Sequence, residues 1–439
     1  MSSILVITEG PPPLGSTPAE GGALRAWGLA KGFIANGHNV TIAYRSTYKL
    51  SKDSNDTDIP QGLAIDTWDG DKLDSLLSAH KIIVLRYAMG EAEEIVKRLS
   101  PEHILVSDSY VPISIEVSAR NSDHKDEHIN FLRLQETSAI ATRRADYYLY
   151  ASPAQKNYYL GYLSGLNKIN PTTYPLFKNR LFEVPYGVDK NDLPNEYKTP
   201  SYPKNPTMLW YGAFYSWFDM ESLIESILEL KKRMPNFKLL IAGAKNPYNK
   251  DPGLLAHYEK TMKSLKVLGD SVEMLGWTAF DKRFEIYNQA SSIITFNHLG
   301  LENELAWRTR LMDYILSYKP IITNGGDPLG EDLILRKIAY KSEEKSIADT
   351  FEYLYNNPPN ISIFNEAIDR YSWQNVTKDI SKALNNPSNL PNVAMRHKEK
   401  PLFVVRHKTK KTLMIPVYTT KYMKKHGVKK TVSRIRRGA

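Results

Sequence analysis

Apolar residues fall in short continuous runs separated by stretches of helical spacing. Ile4 to Thr8, Val40 to Tyr44, Lys81 to Leu85, His103 to Ser107, Tyr147 to Tyr150 and Phe182 to Pro185 are such runs. Unbroken runs of this length are expected of parallel strands buried on both faces. Between the first two, Ala23, Trp27, Ala30 and Ile34 recur at helical spacing, and Asn36-Gly37 ends that helix. A second alternating set starts at Met208 to Tyr211. It continues through Phe237 to Ala242, Val272 to Leu275, Ser292 to Phe296 and Pro320 to Thr323, with a helix from about Met220 to Arg233. Strands that alternate with helices predict βαβ units and parallel sheets. Residues 191–206 hold four prolines among polar residues, the composition of an exposed linker. The expected layout is a first αβα domain over 1–195 and a second over 196–370. A closing helix over 371–386 returns toward the first domain, and a tail covers 387–439. Two such domains face each other across a cleft, with the carboxyl ends of the strands toward a ligand.

Length and composition fit this layout: 439 residues, 42% apolar and 24% charged, allow two domains with full cores. With no cysteine there is no disulfide, thiolate nucleophile or Cys-ligated metal. The first 20 residues carry no Lys or Arg, and the first apolar run stops at Thr8-Glu9, so no signal peptide is expected at this start. No run of apolar residues is long enough to span a bilayer, and a cytoplasmic protein is the expectation. Charge changes the picture more. Residues 396–439 contain 15 Lys and Arg against the single acid Glu399, leaving 43 basic and 47 acidic residues elsewhere. The tail's cations alternate with Leu402, Phe403, Val404, Leu413, Met414, Ile415 and Tyr418. This composition predicts a peripheral contact with the anionic inner face of a membrane rather than nucleic-acid binding, because the body offers no basic face to continue it.

Several segments have a recognisable order. A Pro-rich loop after the first strand leads into Glu20-Gly21-Gly22-Ala23-Leu24-Arg25, and Gln135-Glu136 through Arg143-Arg144-Ala145-Asp146 precedes a later strand. Val184-Pro185-Tyr186-Gly187-Val188-Asp189 leaves the first domain, and Gly276-Trp277, Tyr287 to Ala290 and Tyr371 to Val376 follow in the second. The sharpest segment is Glu302-Asn303-Glu304-Leu305-Ala306-Trp307-Arg308-Thr309-Arg310-Leu311-Met312-Asp313, ahead of Pro320. Over roughly residues 3–385 this order resembles the GT-B fold glycosyltransferases, specifically the retaining family 4 (glycosyl transferases group 1). The resemblance implies transfer of a sugar from a nucleotide-diphosphate donor to a hydroxyl of a glycan or lipid-linked glycan, with retention, without a metal, and with no cofactor besides the donor. Cell-surface polysaccharide or glycoconjugate synthesis is the implied setting.

The resemblance assigns ribose binding to Asp313, which stands seven positions before Pro320, and contact with the donor sugar to Glu302. The chain departs from the family in the eleven-position step between these two acids. It departs again in the loop after the first strand of the second domain, Gly212 to Asp219, which has no cation. Arg308 and Arg310 are the remaining suppliers of charge for the diphosphate, since a guanidinium bonds phosphate oxygens in a fork. Thr309 is expected to cap the helix that begins there. Gly21, Gly22, Gly212, Gly276 and Trp277 complete the expected donor side. Glu9, Arg86 and Asp108 each end a predicted strand on the acceptor side, Asp108 being the candidate to take the acceptor's proton.

Simpler readings stand beside these. Asp313 and Arg310 suit a surface ion pair on one helix, Gly21-Gly22 a flexible helix entry, and Trp277 core packing. Asp69-Gly70-Asp71 is read as a helix cap rather than a metal site, and no His or acid cluster has metal-ligand spacing. The rival functions are another GT-B enzyme, such as a phosphorylase or nucleotide-sugar epimerase, and a catalytically inactive glycosyltransferase-like subunit.

Overall fold

A computed structural model describes residues 2–17, 20–53, 59–120, 125–198, 202–245, 252–278, 282–343 and 346–391. The basic tail therefore lies outside the described residues, apart from its first few positions. Residues up to Leu390 form one compact unit.

The unit contains two parallel sheets. The first holds β1 Ser3–Thr8, β2 Asn39–Arg45, β3 Leu63–Trp68, β4 Ile82–Arg86, β5 Ile104–Asp108, β6 Tyr147–Tyr150 and β7 Leu181–Glu183, in the order β3-β2-β1-β4-β5-β6-β7. The second holds β8 Thr207–Tyr211, β9 Lys238–Ala242, β10 Val272–Gly276, β11 Ser292–Thr295, β12 Ile321–Thr323 and β13 Ala339–Lys341, in the order β10-β9-β8-β11-β12-β13. Each sheet therefore reverses its winding once, at β1/β4 and at β8/β11. The loops leaving such neighbouring strands diverge and open a crevice where ligands settle.

The apolar runs are buried on both faces. In β1, Ile4 and Val6 join the cluster containing Leu29, Phe33 and Ile380, whereas Leu5 and Ile7 join the opposite one with Leu73, Leu77 and Ile95. In β8, Met208 and Trp210 pack against Phe214, Ile227 and Phe351, and Leu209 faces Leu311 and Ile315. Two strands escape the sequence pattern. β3 is an edge strand whose Ala64 is exposed and whose Ile65 to Thr67 are only partly covered, and β13 is a three-residue edge strand. The segment read as an exposed linker is not wholly exposed, because Leu193 is buried among Phe284, Tyr287 and Leu316.

The helix Trp373–Asn385 packs on Gly21–Ala35, and Trp373, Ile380 and Leu384 enter the core of the first sheet. Small residues permit this. A Cβ on Gly28 would lie 2.0 Å from the Trp373 ring, and one on Gly187 2.8 Å from the Tyr371 carbonyl oxygen. The two chain crossings between the sheets thus touch, and Val188 pairs with Ser372. Beyond that helix the chain still holds to the first sheet, although the sequence reading starts the tail at 387. Arg180 donates to the Ser388 hydroxyl and Asp146 accepts from the Leu390 amide. No helix among the described residues is long and apolar enough to cross a membrane.

Candidate functional site

Both winding reversals open onto one cleft of about 1140 Å³, lined from the first sheet by Glu9, Gly21, Gly22, Arg86 and Asp108 and from the second by Gly212, Trp277, Arg310 and Asp313. Glu302 and Arg308 lie instead in an adjoining chamber of about 290 Å³, which shares Gly21, Tyr110, Tyr215 and Arg310 with the cleft. Gly276 lines neither; its carbonyl accepts from the Gly243 amide.

Arg310 is the centre of the second-domain side. It starts the helix Arg310–Leu316, and its guanidinium lies 4.0 Å from the centroid of the Phe218 ring and 5.5 Å from that of Trp210. The position exists because residue 212 is glycine: with φ +115°, a Cβ there would stand 2.9 Å from the Arg310 Cζ. Burial lowers the affinity of Arg310 for its proton, an effect that Tyr314 and Tyr215 only partly offset. No ion pair to a carboxylate forms among the described residues, and its Nη1 is buried without a hydrogen-bond partner. A partly buried cation without a counter-ion is unfavourable in itself, and an anion in the cleft would relieve it. The loop after β8 has no cation of its own, but the structure brings Arg310 to that loop from almost a hundred residues further along the chain.

Arg308 corrects the expectation that the two arginines act alike. Its Nη1 and Nη2 donate to Glu302 at 3.0 and 2.6 Å, and Nη2 also reaches the Asn303 side chain at 3.0 Å. Arg308 is only 6% exposed, so this forked pair is shielded from water. Its charge is spent on Glu302, and the same bond holds the Glu302 carboxylate in place. Thr309 stands before the short helix without a side-chain cap bond, so the expected cap is not formed.

Asp313 pairs not with Arg310 but with Arg283, whose Nε donates to it at 3.3 Å. Arg283 begins the helix Arg283–Tyr287, is 3% exposed, and lines the cleft. Burial among Tyr186, Tyr211 and Tyr287 pushes the Asp313 carboxyl above its ordinary value, and Arg283 works against that rise. For Arg283 the balance is opposite: burial is the largest single effect, but Asp313, Tyr287 and Asp192 together outweigh it, so its proton is held more firmly. Sequence reading did not find Arg283. Its one signal is position, a cation just after the loop that leaves β10.

Asp108 has a partner that its position in the sequence does not announce. It is 4% exposed, and Arg25 donates to both its oxygens at 2.8 and 3.2 Å. Arg25, 1% exposed, also donates to the carbonyls of Val184 and Pro185. This buried fork ties the end of β5 to the chain crossing between the sheets. Both oxygens of the carboxylate are thus engaged by one cation, so Asp108 holds the chain crossing in place as well as lining the cleft.

Glu9 and Arg86 approach within 3.8 Å at the β1/β4 reversal, and Glu9 also accepts from the Gly90 amide. Gly22 leaves room for this arginine, because a Cβ there would meet Arg86 Nη1 at 2.7 Å; Gly21 has open space. Trp277 is 48% exposed at the cleft, which excludes core packing. Asp69 accepts from the Lys72 amide at the start of the helix Lys72–Ala79, as a cap does, whereas Asp71 makes no cap bond. Among the described residues no group of three His, Cys, Asp or Glu is placed to hold a metal.

A scan against protein-family models and a search of curated proteins return no match. Solved structures do match. Sucrose-phosphate synthase from Thermosynechococcus elongatus superposes with a TM-score of 0.58 at 14% identity, over 88% of this chain and 98% of that one. Anabaena HepE, solved with UDP and glucose, gives 0.55 at 13% identity over 88% and 100%. An alpha-glucosyltransferase in complex with UDP gives 0.52 at 13% identity over 86% and 96%. The chain has the GT-B fold. Within this GT-B chain, Arg310 and Asp313 stand on one short helix at the β8/β11 reversal, and Glu9 and Arg86 face the same cleft from the β1/β4 reversal.

Proposed function

We propose that this chain is a glycosyltransferase that moves a sugar from a nucleotide-diphosphate donor to a hydroxyl of a glycan or lipid-linked glycan. The observation that carries the reading is Arg310, a partly buried guanidinium with an unpartnered Nη1 and no carboxylate partner, set against Gly212 three residues before Asp313. The diphosphate would supply the missing anion, Asp313 would accept from the ribose hydroxyls, and Trp277 would border the base. As the sugar–phosphate bond breaks, negative charge grows on the leaving diphosphate, and a fixed guanidinium in a site shielded from water stabilises it more than water would. In this reading Arg310 takes the charge-matching role that a metal plays elsewhere. Arg308 orients Glu302 toward the transferred sugar. Retention of configuration follows from the sequence resemblance to family 4, as does a place in cell-surface polysaccharide or glycoconjugate synthesis. The UDP complexes of HepE and the alpha-glucosyltransferase make UDP the first nucleotide to test. The basic tail would hold the enzyme on the inner face of the cell membrane.

The test is the melting temperature of the full chain with UDP, GDP, ADP, CDP and dTDP, since a ligand bound only to the folded state raises it. One diphosphate should stabilise the wild type, and Arg310→Ala should abolish that shift. No shift with any of the five would refute the reading and favour a subunit without catalysis.

A further inference from the structure

The Glu302–Arg308 fork is held by residues that line neither cavity. Asn303, 1% exposed, accepts from Arg308 Nη2 through Oδ1 and donates through Nδ2 to the Gly325 carbonyl, each at 3.0 Å. An amide side chain has an acceptor end and a donor end, so one residue joins the arginine to the turn after β12. The turn is shaped to receive it. Gly325 and Gly326 have φ of +72° and +86°, a Cβ on Gly326 would stand 2.7 Å from Asn303 Nδ2, and Glu331 accepts from the Gly326 amide at 2.7 Å. Asp327 follows directly. It is buried, and its Oδ1 accepts from the Gly330 amide at 2.8 Å to cap the helix Pro328–Leu335.

Charge joins Asp327 to the same fork. Burial, with Glu331 adding to it, lifts its carboxyl to about 6, whereas the Gly330 amide and the Arg308 charge favour the ionised form. Asp327 Oδ2 and Arg308 Nε are both buried, and neither is bonded to another group among the described residues, so neither end of that attraction is spent elsewhere. Arg308 is therefore fixed by Glu302, by Asn303 and by the charge of Asp327, and a carboxylate held this firmly needs no rearrangement when a sugar arrives. We propose that Asn303 and Asp327 are positioning residues for the transferred sugar: Asn303 ties the Glu302–Arg308 fork to the turn after β12, and Asp327 anchors that turn and holds the arginine by charge. The proposal rests on the glycosyl-transfer reading. It deepens that reading by separating the groups that set the sugar contact from Arg310 and Asp313, which in the same reading bind the nucleotide.

Release of UDP from UDP-glucose, UDP-galactose and UDP-N-acetylglucosamine by the full chain, without acceptor, tests it beside UDP affinity by calorimetry. Asn caps helices as well as Asp does, so Asp327→Asn removes the charge and keeps the cap. Asn303→Asp keeps the acceptor toward Arg308 and loses the donor toward Gly325. For a donor that the wild type hydrolyses, each variant should lower kcat about tenfold or more while the Kd for UDP stays within about twofold. Glu302→Gln should lower kcat too, and adding Asp327→Asn to it should cost little more, because both act through one carboxylate. Unchanged kcat in folded Asp327→Asn would overturn the proposal. So would losses that multiply in the double variant, or a loss of UDP affinity that matches the loss of kcat, since either marks a general effect on the fold. If Asn303→Asp does not fold, Asp327→Asn and the double variant decide alone. A chain that UDP stabilises but that releases UDP from none of the three donors would overturn the inference while the nucleotide-binding half of the reading stands.

Discussion

Arg283 favours the charged form of the Asp313 carboxylate, and replacing it should move the pH dependence of nucleotide binding to higher pH. Asp313 keeps 30% of its side chain exposed to the cleft and Arg283 only 4%, so removing the arginine leaves a carboxylate with little water and no cation at 3.3 Å. A hydrogen bond to a charged partner in such a place is worth about 1.5–3 kcal/mol, which corresponds to about one to two pH units. Burial already lifts the Asp313 carboxyl above 3.8 in the native protein, and Arg283→Met should lift it further. The sign follows from linkage. A carboxyl whose folded value is raised favours folding below about 3.8 and loses that contribution as pH rises through the folded value. In Arg283→Met this loss should extend to higher pH.

Ribose binding runs the other way, because the ionised carboxylate is the better acceptor of hydroxyl hydrogen bonds. Affinity for UDP, measured by calorimetry between about pH 5 and 8, should fall toward acid in both proteins, with the variant's midpoint higher by at least about one unit. Arg283→Lys should recover part of the difference, and Asp313→Asn should give weak binding with the same pH profile in either background. Coincident profiles for wild type and Arg283→Met would refute the argument. A further shift in the double variant would show that Arg283 acts on some group other than Asp313.

Three further outcomes follow. Arg310→Met should abolish nucleotide binding without lowering the melting temperature, because it removes a partly buried charge that has no counter-ion and keeps a side chain of similar length; a destabilised variant would mean that its contacts with Phe218 and Trp210 outweigh that cost. Asp108→Asn should cost about 3–5 kcal/mol in urea unfolding by stranding Arg25, while turnover of the folded protein should fall by far less than the roughly hundredfold or more expected for a lost general base. With 15 cations among residues 396–439 and about 1 kcal/mol available per basic residue near an anionic surface, the full chain should pellet with anionic but not zwitterionic vesicles and release as salt rises. A chain ending at Pro391 should stay in solution, and pelleting that ignores lipid charge would contradict the membrane role.

The strands and the pairings between side chains differ in how far they can be read from sequence, and the reason is physical. A strand covered on both faces must be apolar at each position, so β1, β4 and β8 announce themselves within a few residues. β3 lies at an edge, where half-covered positions tolerate Asp66 and Thr67, and the local signal fades. Charges carry even less local information. Glu302 and Arg308 are six positions apart with the end of the helix Leu301–Leu305 between them, a separation no helical rule would pair, and Arg25 reaches Asp108 across 83 residues. Spacing therefore suggested that Arg308 and Arg310 were equivalent, although one is neutralised by a carboxylate and the other is not. The segment of most chemical interest was legible as a segment, because carboxylates and arginines are concentrated in Glu302 to Asp313. Which of them remain open to a ligand depends on partners supplied by distant loops. Arg283 takes Asp313, Glu302 takes Arg308, and Gly212 makes room for Arg310. Exclusion from these pairings is what makes Arg310 the anion site in the proposed reading, and that exclusion is a property of the folded arrangement, not of the motif.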